Sequence, residues 1–135
     1  MGTDHVLQDT VRGTSKWLQS NSSVAPSDRS DLITSFNSNG FTISSFTNVN
    51  ANNDDFVAWT FRKAEKFFDI ITWTGNGTNN RALSHNLGVI PEFIITKRLS
   101  ASENWQITFD DLISNAEGFK SGSAGKAAIN IDVAC

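Results

Sequence analysis

The sequence predicts an all-β fold: an antiparallel β-sandwich, jelly-roll-like, with little helix. Three observations point there. Apolar residues recur every second position in several short runs. Turn-forming pairs such as Asn39-Gly40 and Asn76-Gly77 separate those runs. Asn, Ser and Thr together supply 42 of the 135 residues. Their side chains compete for nearby backbone groups inside helices but suit turns and the wet faces of sheets.

The strands follow in chain order. In Gly40-Phe41-Thr42-Ile43-Ser44, Phe41 and Ile43 share one face and hydroxyls the other. In Phe56-Val57-Ala58-Trp59-Thr60-Phe61, the residues Val57, Trp59 and Phe61 share a face. Residues 67–73, from Phe67 to Trp73, are more continuously apolar and read as a strand crossing the sheet centre. Pro91 opens a run Phe93-Ile94-Ile95-Thr96-Lys97, since proline is tolerated at a strand's start. Trp105, Ile107 and Phe109 alternate with polar residues, as do Ile129, Ile131 and Val133 near the end. The best helical candidate is a single turn from Asp28 to Ile33, capped by Ser27. Asn48 to Asp55 reads as a polar loop, and Ser121 to Gly125 as a small-residue turn.

A chain of this length can bury roughly two-thirds of its unfolded surface without a staple. No domain boundary is evident, so residues 1–135 read as a single domain. A faint echo between His5-Val6-Leu7-Gln8-Asp9-Thr10 and Trp105-Gln106-Ile107-Thr108-Phe109-Asp110 admits two explanations. One is coincidence. The other is that the chain is a fragment or permuted unit of a longer repeat protein.

Composition excludes several functions. Hydrophobic residues are 39%, charged residues 19%, and the formal net charge is −3. No Lys/Arg run is present to neutralise a phosphate backbone, so nucleic-acid binding is not expected. Apolar runs are too short for membrane insertion. The single cysteine, Cys135, precludes an intrachain disulfide.

Three long segments together carry a resemblance. The first comprises Asp9-Thr10-Val11-Arg12-Gly13-Thr14-Ser15-Lys16-Trp17-Leu18, Leu32-Ile33-Thr34-Ser35-Phe36-Asn37-Ser38-Asn39-Gly40-Phe41-Thr42 and Val57-Ala58-Trp59-Thr60-Phe61-Arg62-Lys63-Ala64. The second is Phe68-Asp69-Ile70-Ile71-Thr72-Trp73-Thr74-Gly75-Asn76-Gly77 with Leu83-Ser84-His85-Asn86-Leu87-Gly88. The third is Pro91, Phe93-Ile94-Ile95-Thr96-Lys97-Arg98 and Asn104-Trp105. In this order they resemble a repeated module of tail-fibre and virion structural proteins of tailed bacteriophages, often marine ones. The resemblance covers roughly residues 5–110; residues 111–135 are richer in Gly, Ser and Ala than the family's pattern. It implies a virion location, after synthesis in the host cytoplasm, and a role in fibre assembly and host contact. It also implies a homo-oligomer, with trimers favoured, beside other virion proteins. No catalytic set and no cofactor come with it.

The residues themselves offer few chemical alternatives. His5 and His85 lack metal-ligand spacing partners. On a strand Ser84 and His85 would face opposite ways, so His85 is expected to cap a turn. Asp54-Asp55 and Asp110-Asp111 are side-by-side carboxylates, unlike the opposed pair of a glycosidase. A hydrolytic tailspike is therefore disfavoured, and no enzyme activity is expected. Asn50, Asn52, Asp54 and Asp55 have the oxygen density of a weak calcium candidate, without the bend Gly and distal Glu of the helical calcium loop. Among the four tryptophans, Trp59 and Trp73 are expected in the core. There a truncation of Trp59 would cost roughly 3–5 kcal/mol. Trp17 and Trp105, with polar neighbours, are expected at a surface. With Asn52 and Asn53 they form the candidate ligand-binding set, for a subunit interface or a host polysaccharide. A lectin-like carbohydrate-binding module is thus the alternative to a structural virion module.

Overall fold

The computed structural model describes residues 4–109. The fold is all-β, with seven short strands and one four-residue helix among the described residues. These residues fall into two compact units: 4–56 with 92–109, and Val57–Pro91.

In the first unit β1 (Leu7–Asp9), β2 (Gly13–Leu18) and β3 (Ser27–Asp28) form an antiparallel sheet with β2 in the centre. Its first turn is built by one side chain. Asp9 Oδ1 accepts the backbone N–H groups of Val11 at 3.0 Å and Arg12 at 2.8 Å. The Arg12 guanidinium closes back on Asp9 Oδ2 at 2.6 Å. This is the local carboxylate-to-backbone bonding that makes Asp a turn former. Gly13 then takes φ +83°, a left-handed angle that glycine adopts without Cβ strain.

β4 (Ile33–Asn37) and β5 (Gly40–Ile43) make an antiparallel hairpin with Asn37 opposite Gly40, so Ser38 and Asn39 turn it. Asn39 lies outside the left-handed region, so Gly40 opens the returning strand instead of completing a positive-φ pair. β6 (Phe93–Thr96) pairs with β7 (Gln106–Phe109) in continuous register from Phe93–Phe109 to Thr96–Gln106. The alternation around Phe41 and Ile107 and the apolar run after Pro91 therefore located real strands. The run Ile129–Val133 and the turn at 121–125 lie outside the described residues.

Trp17, Leu18 and Leu32 form the buried apolar set, with Leu32 fully enclosed. β2 contributes two consecutive buried residues from the middle of its sheet: Leu18 lies opposite Leu7 of β1, and Trp17 opposite Ser27 of β3. Gln8 ties this sheet to β4. Its amide nitrogen donates to the Thr14 carbonyl, and its Oε1 accepts the Ile33 N–H at 3.0 Å.

A second set of polar contacts surrounds Arg29. Its guanidinium grips Asp31 with two bonds of 2.8 and 2.7 Å. It also lies 4.0 Å over the Phe46 ring and 6.0 Å from the Trp17 ring, within cation–π range. Ser44 completes the assembly. Its hydroxyl donates to the Asp31 carbonyl and accepts the Phe46 N–H at 2.9 Å, just before α1 (Thr47–Asn50).

Several expectations are corrected here. Asp28 to Ile33 is not a helical turn: Ser27 and Asp28 are claimed by β2 as β3, because Lys16 and Trp17 offer open backbone partners. The helix sits instead in the loop beginning at Asn48, where Val49 and Asn50 N–H groups both reach the Phe46 carbonyl. Residues 56–61 and 67–73 form no strand; one bridge between Ala64 and Phe68 is all the pairing there. Trp59 and Trp73 are 77% and 48% exposed, whereas Trp17 is 7% exposed. Alternation identifies residues sharing a face but not what covers that face. Trp17 was misplaced by its polar neighbour: Lys16 is held by Asp28 at 2.6 Å, so its charge sits beside a buried ring.

Truncating Trp17 to Ala should cost about 3–5 kcal/mol of unfolding free energy. The same change at Trp59 should stay within about 0.5 kcal/mol in the isolated chain at high dilution. Denaturant midpoints of the two variants, followed by far-ultraviolet circular dichroism, check the ordering.

Candidate functional site

The unit Val57–Pro91 contains no buried residue among its 35 positions. Val57 is 82% exposed, Trp59 and Ile90 77%, and Phe67 64%. Three rings cluster: Phe61 lies 5.4 Å from Phe68 and 6.5 Å from Phe67, all tilted. Such aromatic contacts add about 0.5–1.5 kcal/mol beyond area burial, but they leave Phe61 and Phe67 mostly in water, with only Phe68 half-buried.

What organises this unit is a carboxylate. Asp69 Oδ1 meets Lys63 Nζ at 2.6 Å and accepts the Ile70 N–H at 2.9 Å. Its Oδ2 accepts the Asn86 N–H at 2.8 Å, bridging 17 residues of sequence. The Lys63 ammonium donates also to the Ile70 carbonyl at 3.2 Å. Beside this node the Lys66 N–H donates to the Leu87 carbonyl at 2.8 Å. Gly88 is held at φ +72° against Glu65, which leaves no room for a Cβ without displacing that side chain. The hydrogen bond from Lys63, then those from the Asn86 and Ile70 amides, pull the Asp69 carboxyl down to about 2 from its ordinary 3.8. Asp69 therefore stays anionic with both oxygens engaged, which suits a structural lock and not proton transfer.

One histidine serves a turn and the other a contact distant in sequence. His85 Nδ1 accepts the Leu87 N–H at 3.2 Å, the capping role expected of it. His5 Nδ1 lies 3.0 Å from the Ser20 hydroxyl.

The expected ligand-binding set does not converge. Trp17 is buried in β2, and its indole N–H finds no acceptor among the described residues, so packing and the Arg29 cation hold its ring. Trp105 is half-buried, and its N–H is shared between the Gln19 carbonyl at 3.1 Å and the Ser22 carbonyl at 3.0 Å. Two further bonds fix the same junction: Glu103 N–H to the Ser23 carbonyl at 2.8 Å, and Ala25 N–H to the Ser102 hydroxyl at 3.3 Å. Trp105 is thus a tie across more than eighty residues, a role that no local pattern announces. Asn52 and Asn53 are exposed, with Asn53 at φ +65° in a turn, and no hydrogen bond links them to either tryptophan among the described residues.

The calcium candidate fares similarly. Asn50 lies in α1 and spends its amide nitrogen on the Ser44 carbonyl at 2.9 Å. Among the described residues no three His, Cys, Asp or Glu side chains gather as a metal site. No helix among them is long and apolar enough to cross a membrane. The pair Asp110-Asp111 lies outside the described residues.

A family model spanning residues 1–130 matches the chain: Domain of unknown function (DUF7483). The chain belongs to this family. No match to the chain is found among curated proteins or among solved structures. The DUF7483 match includes both the Trp17 sheet and the Asp69 unit.

Because folded Asp69 titrates near 2 and an unfolded Asp near 3.8, the unfolded chain binds more protons between those values. The stabilisation from Asp69 should be complete above about pH 4 and lost as pH falls through 2. Following the Asn86 amide by NMR, Asp69→Asn should remove that component of the acid transition and leave the rest. Separately, Trp105→Phe deletes a donor shared by two carbonyls and should destabilise the first unit by about 1–2 kcal/mol, measured by denaturant unfolding.

Proposed function

We propose that this DUF7483 chain is a non-enzymatic structural module of a bacteriophage virion, a tail-fibre building block for appendage assembly and host contact. It works as a homo-oligomer, with trimers favoured, among other virion proteins. The observation that carries this reading is the apolar surface of the Val57–Pro91 unit, where Val57, Trp59 and Ile90 are each more than three-quarters exposed. A surface of that kind is characteristic of chains whose apolar area is covered on assembly. The ordered resemblance over residues 5–110 supplies the biological setting. Short hairpins of Ser-, Thr- and Asn-rich strands suit it, because they present soluble faces that need no cofactor. A closed two-layer sandwich belongs to the same proposal.

The second reading is a carbohydrate-binding module recognising host surface glycan. One observation favours it, at residues other than those expected from sequence. Trp59 and Trp73, not Trp17, present ring surface to solvent, and flat aromatic faces stack on sugar rings.

Sedimentation equilibrium and a glycan array on the same preparation separate the two. A stable oligomer silent on glycans is the expected result. A monomer that binds a glycan, and loses it on Trp59→Ala or Trp73→Ala, would overturn the ranking.

A further inference from the structure

We infer that residues 57–61 form an assembly strand that is completed by a second copy of this chain, pairing with and packing on the acidic remainder of that copy outside its own Val57–Pro91 unit. This inference rests on the assembly reading above and names the surface responsible.

The sequence of residues 57–61 is that of a strand. Val57, Trp59 and Phe61 alternate with Ala58 and Thr60, and β-branched and aromatic residues dominate. Yet none of these five residues makes a hydrogen bond with any described residue, and all five are exposed. Strand-forming chemistry without a ladder leaves five N–H and five C=O groups open to a partner edge. Pairing through such an edge gives affinity from the main chain and specificity from alternate side chains.

The area is sufficient for a stable contact. Val57, Trp59, Phe61, Phe67, Trp73 and Ile90 are between 48% and 82% exposed. At about 150–250 Å² for each aromatic side chain, Trp59, Phe61, Phe67 and Trp73 present roughly 500 Å², to which Val57 and Ile90 add, approaching what one partner contributes to a standard-size interface.

Charge selects the partner surface. The Val57–Pro91 unit holds Arg62, Lys63, Lys66 and Arg81 against Glu65 and Asp69, a formal +2. The described part of the remainder, residues 4–56 with 92–109, holds eight carboxylates against five Lys and Arg, a formal −3. Two such units face to face would set cation against cation. Contact with the remainder of a neighbouring copy is complementary. That arrangement is head-to-tail, and it closes into a ring when the rotation permits, consistent with a trimer.

Amide hydrogen exchange of the intact chain, at concentrations above and below the association midpoint found by sedimentation, tests this without altering the sequence. The expected result is a slowing of at least tenfold at residues 57–61 on association. The substitution Trp59→Asp should weaken association at least tenfold while the NMR signals of β6 and β7 stay in place. An oligomer whose 57–61 amides exchange freely at every concentration overturns the proposed surface and leaves the assembly reading standing. A chain that is monomeric at every concentration overturns both. Protection of 57–61 that appears only when a different protein is added overturns the choice of a second copy.

Discussion

Burial around β2 is the constraint on which the first unit depends. With β1 on one edge of it and β3 on the other, its consecutive residues Trp17 and Leu18 are both enclosed, and Leu32 is buried completely. The Asp9 turn fixes the approach of β1 to β2, and Gln8 joins both strands to the start of β4. The Arg29–Asp31 pair brings a cation to the Phe46 and Trp17 rings, and Ser44 anchors α1 behind it. The Arg29 hydrogen bonds hold the Asp31 carboxyl below its ordinary range, so the clamp stays charged across neutral and mildly acid conditions.

The Val57–Pro91 unit is built on a different principle. It has no buried apolar residue, and polar locks give it shape: the Asp69 node, the Lys66–Leu87 bond and the His85 cap. Locks of this kind define a backbone path but contribute little of the hydrophobic stabilisation that drives folding. Apolar side chains left outside such a frame gain by being covered from elsewhere. This difference in construction is why the assembly reading rests on this unit. The first unit keeps its tryptophans for itself, one by packing and one by two carbonyl contacts.

The all-β class and the strands at Gly40–Ile43, Phe93–Thr96 and Gln106–Phe109 were legible because alternation and a short apolar run behind a proline are local properties of the chain. A turn was legible at Asn39-Gly40 from its residue types, but it falls one position earlier, at Ser38 and Asn39, Gly40 opens the returning strand, and β4 itself was not legible. The cap at His85 followed from its place beside a Gly-containing turn. β1 and β2 were not evident as strands, because Gly13-Thr14-Ser15-Lys16-Trp17-Leu18 mixes polar and apolar residues without a clean period. That mixture is what a central strand shows when one polar neighbour is neutralised by an ion pair.

The sequence by itself determined the sheet-forming character of the chain, its turns and its shortage of helix, since these follow from preferences of residues a few positions apart. Tertiary structure decided which tryptophan is enclosed, which strand stands in the middle of a sheet, and which apolar face stays in water. Those outcomes depend on partners distant in sequence: Ser27 beside Trp17, Gln19 and Ser22 beneath Trp105, Asn86 on Asp69. A face is recognisable from its spacing alone, but burial requires a second surface, and only the folded chain supplies or withholds it.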